Sequence, residues 1–243
     1  LGIDFFKESF GNFFGVVGLK AARVANLLIN NSDLIIVIGS RLATSVIGFE
    51  YELFAKNAQK VIIDIDEIEH LKPTIKPDLF LNSDAYHAIS LIYQFLNQTN
   101  LNFKVWLKTC KAASEILPRQ EQFSGKSKIS IFDVVRGVCL NSGKKDILVS
   151  DAGSSYYVAS MMFTKVNSQR YVTSGAQADM GFALPASVGC SFSLNSSSRV
   201  HCLVGDGSFQ LNIQELQTVK HYQLPINIIV LNNDGYLSIR STQ

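Results

Sequence analysis

The sequence lacks the features that would place it in several broad classes. No apolar run reaches the roughly eighteen residues that a membrane-spanning helix needs, so no membrane role is expected. No block of like charge occurs, and the net charge of 243 residues is only +2, so nucleic acid is not an expected partner. The four cysteines (Cys110, Cys139, Cys190 and Cys202) form no CxxC pair. That excludes a dense disulfide framework and points to reduced thiols in a cytoplasmic protein. The four histidines (His70, His87, His201 and His221) form no HxH or HxxxH pair, so a zinc site has no support. Neither GxxxxGK[ST] nor GxGxxG occurs, which removes the usual nucleotide loops.

What is present is a chain with 47% hydrophobic and 17% charged residues, long enough for two domains with sizeable cores. Continuous apolar runs alternate with helix-like stretches. "DLIIVIGS" (33–40) and "KVIIDID" (60–66) read as strands buried on both faces. "GLKAARVANLLINN" (18–31) has helical spacing, and "SDAYHAISLIYQFLNQ" (83–98) is a helix capped by Ser83 or Asp84. "KPTIKPD" (72–78), with two prolines, reads as an extended loop. Residues 99–128 turn polar and read as a linker containing one amphipathic helix. The rhythm then returns. Strands are expected at "DILVSD", "RYVTSG", "RVHCLVGDG" and "INIIVLNN". Helices are expected at "ISIFDVVRGVCLNSG", "GSSYYVASMMF", "GFALPASVGCSF" and "SFQLNIQELQTVKHY". The fold class is therefore α/β, with two doubly wound parallel-sheet domains over 1–98 and 129–243 joined by the linker. Both chain ends look cut, so the expectation is a piece truncated at each end.

The chemistry concentrates where two late strands finish. In an open parallel sheet, ligands bind beyond the carboxyl ends of the strands. Asp206, in Gly205-Asp206-Gly207, and Asn233, in Asn232-Asn233-Asp234-Gly235, both fall there, one strand-helix-strand unit apart. An anionic oxygen and a neutral amide oxygen suit Mg²⁺, which takes one or two protein ligands beside phosphate oxygens and water. Gly205 and Gly207 allow close backbone approach, and Gly207 and Ser208 open the next helix, whose free N–H groups would face an anion. The chemistry expected is a Mg²⁺-diphosphate. Each turn alone is commonplace; joined by a helix with Phe209, Ile213, Leu216 and Val219 on one face, they become specific.

GDG followed by NN at this spacing resembles the signature of thiamine-diphosphate-dependent enzymes. "GDGSFQLNIQELQTVKHYQLPINIIVLNNDGY" is similar to the acetolactate synthase and pyruvate decarboxylase branch. "NNSDLIIVIGSRL", "KVIIDIDEIEHLKP" and "KPDLFLNSDA" resemble the central domain of acetolactate-synthase-like large subunits, and "SGAQADMGFALPASVGC" the segment beneath the thiazolium ring. The resemblance implies that Asp206, Asn233 and the Gly235 carbonyl hold Mg²⁺. It implies a diphosphate site from Gly205, Gly207 and Ser208, with a second loop at Asp151, Ala152, Gly153, Ser154 and Ser155. Asn233, Gly235 and Tyr236 would border the cofactor. Met180 would wedge the cofactor into a bent shape, and the Ala178 carbonyl would accept from the aminopyrimidine, with Asp179 beside them. These two residues are the catalytic candidates in this chain.

The resemblance further implies an activating glutamate in a pyrimidine-binding domain ahead of Leu1, contributed by the partner subunit. The chain by itself is accordingly expected to be inactive. Asp64, Asp66, Glu67, Glu69 and Glu115 sit in other elements and do not replace that glutamate. Pyruvate decarboxylases carry a glutamate soon after the Asn-Asn loop; "YLSIRSTQ" has none, which favours a carboligase. The implied activity is an acetolactate-synthase-like transferase, as in branched-chain amino acid biosynthesis: pyruvate loses CO₂ and its two-carbon unit passes to a second 2-oxo acid. A related decarboxylase or lyase with another substrate, and a non-catalytic homologue, remain alternatives. FAD in the central domain stays open, with Arg41 and Asp64 placed to meet a dinucleotide. A homodimer or tetramer with sites between subunits is implied.

Overall fold

The computed structural model describes residues 2–7, 10–118, 129–175, 177–194 and 197–240. Two compact units emerge: a larger one joining Leu1–Phe13 to Gln120–Gln243, and a smaller one from Phe14–Arg119.

The smaller unit carries α1 (Arg23–Asn30), β1 (Leu34–Ile38), α2 (Thr44–Ile47), β2 (Gln59–Asp64), β3 (Leu79–Asn82), α3 (Ala85–Gln98) and α4 (Lys104–Ile116). Its sheet is parallel, in the order β1-β2-β3. Ile35, Ile62, Ile47, Phe54 and Ile75 form the core on one side. Ala22, Val24, Ala25 and Leu28 pack with Cys110 of α4. Apolar burial thus holds α4 in this unit, inside the stretch expected as a linker; residues 119–128 of that stretch lie outside the described residues. The first helix begins only at Arg23, because Gly18 is held in an extended turn with φ +147°. Asn26 grips it, accepting the Gly18 N–H at 3.0 Å and donating to its carbonyl at 2.8 Å. The cap of α3 is Asp84, which accepts from the Tyr86 and His87 N–H groups. β3 is a strand that the reading of the sequence did not anticipate.

The larger unit contains α5 (Ile131–Asn141), β4 (Ile147–Ser150), α6 (Ser154–Met162), β5 (Arg170–Thr173), α7 (Ala183–Phe192), β6 (Val200–Gly205), α8 (Asp206–Leu211), α9 (Glu215–His221), β7 (Ile226–Leu231) and α10 (Leu237–Arg240). Its parallel sheet runs β5-β4-β6-β7. The strand order reverses between β4 and β6, and such a switch point opens a crevice at the carboxyl ends. β4 and β6 are nearly fully buried, as strands covered on both faces must be. The small-residue helix α7 lies close against them, placing Ala183 and Leu184 beside Val149, Val200, Cys202 and Val204. Its buried hydroxyls are satisfied within the helix, Ser187 donating to the Ala183 carbonyl and Ser191 to that of Ser187.

The start of the chain joins this unit through an ion pair. Asp4, only 5% exposed, accepts from Arg170 Nε at 2.5 Å and from the Tyr171 N–H at 3.3 Å. Far below the crevice, at the amino ends of β4 and β6, Asp146 accepts from the Arg199 and Gly143 N–H groups and pairs with His201. Both domains are thus α/β with parallel sheets, as the apolar runs predict.

A further expected element differs. The helix expected from Ser208 to Tyr222 is two helices, α8 and α9, with a turn at 212–214. Asn212 leaves helical geometry at φ −133° and ψ 31° and spends its side chain on a distant carbonyl. Asn competes in this way with helix continuation. As a result Phe209 and Val219 pack on the core while Ile213 stays 47% exposed.

Candidate functional site

β6 and β7 are paired in register up to Gly205 and Leu231, so the residues that follow leave the sheet side by side. The Asp206 carboxylate spans the gap. Its Oδ2 accepts the Gly235 N–H at 2.8 Å and the Asn233 N–H at 3.1 Å; its Oδ1 accepts the Gly207 N–H at 2.8 Å. Burial pushes this carboxyl up, but the N–H groups of Gly235, Asn233 and Gly207 outweigh it and hold it below its ordinary range. Asp206 is therefore an anion across the neutral range.

The loop that Asp206 gathers is strained. Asp234, Gly235 and Tyr236 all have positive φ, at 63°, 83° and 52°. A tyrosine in that region costs on the order of 1–3 kcal/mol, so the surrounding contacts must over-determine it. One such contact is visible: a Cβ on Gly207 would lie 3.1 Å from the Tyr236 ring, so glycine allows the ring to close over the turn. The Asn233 carbonyl accepts from Arg240 at 2.9 Å, tying the loop to α10.

The turn after β4 faces the same crevice. Gly153 takes φ +67° before α6, and Ser154 shares a hydrogen bond of 3.1 Å with Ser238 of α10. Asp151, 1% exposed, does not face outward. Its carboxylate accepts from the N–H groups of Ala152 at 2.9 Å, Gly181 at 3.1 Å and Ala183 at 2.8 Å. Ser155 likewise turns inward, donating to the Ala152 carbonyl at 2.6 Å. Ser208 is buried beneath the turn after β6, while Gly205 stays half-buried at its mouth.

The third segment carries Ala178, Asp179 and Met180. Ala178 holds φ +58°, a conformation rare for a residue with a side chain. The Asp179 N–H donates to Ser174. Met180 is 37% exposed, so it is not a core residue. Gly181 links this segment to the turn after β4 through Asp151 and to the end of α8 through Asn212. Sequence reasoning missed Asn212, Gly181 and Ser238. Nothing local distinguishes them; their roles arise from contacts 31 and 84 residues away.

The donor set fits a hard divalent cation bound with phosphate. Among the described residues no group of three or more His, Cys, Asp and Glu exists to hold a bare metal. Asp206 Oδ1 receives the Gly207 N–H at 2.8 Å, and a carboxylate oxygen can accept more than one partner. Asn233 Oδ1 accepts from the Leu237 N–H at a long 3.4 Å. One carboxylate and one amide oxygen leave most of an octahedron for phosphate and water. α8 has only six residues and α6 has nine, so α6 presents the longer dipole to an anion.

In the smaller unit, Arg41 and Asp64, expected to meet any dinucleotide, are engaged with neighbours. Arg41 Nε pairs with Glu69 at 3.3 Å, and Asp64 with His70 at 3.2 Å. Among the described residues no helix is long and apolar enough to cross a membrane.

Comparison with known proteins bears on the same two units. Residues 151–243 match the thiamine pyrophosphate enzyme C-terminal TPP binding domain, and residues 1–92 match the thiamine pyrophosphate enzyme central domain. The acetolactate synthase large subunit of Porphyra purpurea is 30% identical over 247 residues, covering 100% of this chain and 41% of the relative. That of Lactococcus lactis is 29% identical, over 94% of this chain and 39% of the relative. The isozyme 2 large subunit of Escherichia coli is 26% identical, over 100% of this chain and 42% of the relative. The chain thus spans about two-fifths of the length of these relatives.

Proposed function

Starting from a chain that belongs to the thiamine pyrophosphate enzyme family, we propose that it forms the diphosphate and Mg²⁺ half of an acetolactate-synthase-like active site. The observation that carries this is the Asp206 carboxylate, ionised and drawn against the Asn233–Gly235 loop at the ends of two adjacent parallel strands.

Asp206, the Asn233 side chain and the Gly235 carbonyl would hold Mg²⁺, with the diphosphate completing its shell. Gly153 and Ser154, at the start of α6, would meet the diphosphate through N–H and hydroxyl groups. Asp151 holds the turn directly after Met180, whose side chain is 37% exposed. When bound, thiamine diphosphate supplies the carbon nucleophile and electron sink that loss of CO₂ from a 2-oxo acid requires. The chain's own part is to fix the charged tail and support the rings with Met180 and the Ala178 carbonyl.

The reaction is decarboxylation of pyruvate with transfer of the two-carbon unit to a second 2-oxo acid, in an oligomer whose sites form between subunits. Similarity to acetolactate synthase large subunits over the whole chain supports this reading over a simple decarboxylase. The test is pyruvate turnover by the complete protein with thiamine diphosphate and Mg²⁺. Acetolactate formed in step with CO₂ supports it; free acetaldehyde as the sole organic product refutes the transferase assignment.

A further inference from the structure

We propose that Asn212 is a positioning residue that locks the turn carrying Met180 to the metal end of the site. This rests on the functional reading above and adds to it a residue that touches neither metal nor cofactor.

Gly181, directly after Met180, is held on both sides of its backbone. Its N–H donates to Asp151 Oδ1 at 3.1 Å, and its carbonyl accepts from Asn212 Nδ2 at 2.8 Å. Its φ is +83°, and a Cβ there would stand 2.9 Å from Leu211 Cβ and 3.0 Å from Asn212 Nδ2. The packing therefore admits only glycine, which is also what the backbone angle prefers. The direction of the Asn212 amide is set by the Gly181 carbonyl, which can only accept, and Oδ1 then accepts from Gln214 Nε2 at 3.2 Å. A flipped amide would bring oxygen against the Gly181 carbonyl oxygen and nitrogen against a donor.

The two residues that grip Gly181 belong to the two phosphate-side elements. Asp151 opens the loop that leads into α6. Asn212 closes α8, the helix that starts at Asp206. A six-residue helix is a stiff spacer, so fixing Asn212 to Gly181 fixes Met180 relative to Asp206. The contact also explains why α8 and α9 do not continue as one helix: Asn212 leaves the helix to make it. A tie of this kind sets the part of affinity that depends on the ring system, which Met180 would support. It leaves the diphosphate tail alone, because Asp206, Asn233 and Gly153 would hold that independently.

Asp151 is a poor probe, since removing it strands the buried N–H groups of Gly181 and Ala183. Asn212 is half-exposed and can be changed without opening the core. Asn212→Ala removes the donor; Asn212→Asp keeps shape and size but aims an acceptor at the carbonyl. Each should be titrated calorimetrically in the full-length protein, with Mg²⁺ present, against thiamine diphosphate and separately against inorganic diphosphate. One lost hydrogen bond predicts thiamine diphosphate binding weaker by roughly three- to tenfold. Inorganic diphosphate should be unaffected, and amide exchange at 180–183 should quicken in both variants. Equal weakening of both probes, or of neither, overturns the proposal. A wild-type protein that binds thiamine diphosphate no tighter than inorganic diphosphate overturns the functional reading itself, and the proposal with it.

Discussion

The Asp206 carboxylate holds the Gly235 N–H at 2.8 Å across 29 residues of chain, which makes one side chain the closure of the β6–β7 crevice. Asp206→Ala removes the acceptor of three N–H groups at once. Amide exchange at Asn233 and Gly235 should then accelerate at least tenfold, while exchange in β4 and β6 stays protected. Unchanged exchange at both residues would show that the loop holds its shape without Asp206.

Met180 separates a packing role from a functional one. At 37% exposure, Met180→Ala should shift stability by less than about 0.5 kcal/mol, as surface changes do. Pyruvate turnover of the complete enzyme should nonetheless fall at least tenfold. A melting temperature lowered in proportion to the lost activity would assign Met180 to packing instead.

The Asp146–His201 contact predicts acid sensitivity. Burial raises the Asp146 carboxyl, but the Arg199 N–H, His201 and the Gly143 N–H lower it further, so its folded value lies below the unfolded 3.8. Its contribution is complete above the unfolded value and is lost as pH falls through the folded one. The melting temperature should drop below about pH 4, and Asp146→Asn should flatten that drop. It should also cost roughly 1–3 kcal/mol at neutral pH through unsatisfied buried partners. Identical acid profiles for both proteins would contradict this account.

Gly18 tests the smaller unit on its own. A Cβ there would lie 2.5 Å from the Ser45 carbonyl oxygen, a backbone atom with little freedom to yield, and φ is +147°. Gly18→Ala should destabilise by at least about 1–3 kcal/mol. Circular dichroism melting would show it, and a change under about 0.5 kcal/mol would mean the turn relaxes freely.

Much of this was legible in the chain. Buried runs such as "ILVS" and "VHCLVG" announce parallel strands, because burial on both faces leaves no polar alternation. The convergence of Asp206 with the Asn233–Gly235 loop follows from one strand-helix-strand step. The sequence offers Ser83 or Asp84 as the cap of α3, and the Tyr86 and His87 N–H groups select Asp84. Other features carry no local signal. β3 is four residues long with an uneven burial pattern, too short for periodicity to declare itself. The break at Asn212 depends on Gly181, and the Asp4–Arg170 pair joins residues 166 apart. Asp151 sits in a loop that sequence pattern aims at the cofactor, yet its oxygens serve the backbone of 181–183.

The most direct test is a crystal structure of the complete protein with Mg²⁺ and thiamine diphosphate. One cation at about 2.0–2.1 Å from an Asp206 oxygen, Asn233 Oδ1 and a diphosphate oxygen is the expected result. A diphosphate bound elsewhere, or an Asn233 side chain turned away from the ion that Asp206 holds, would contradict the shared-cation site.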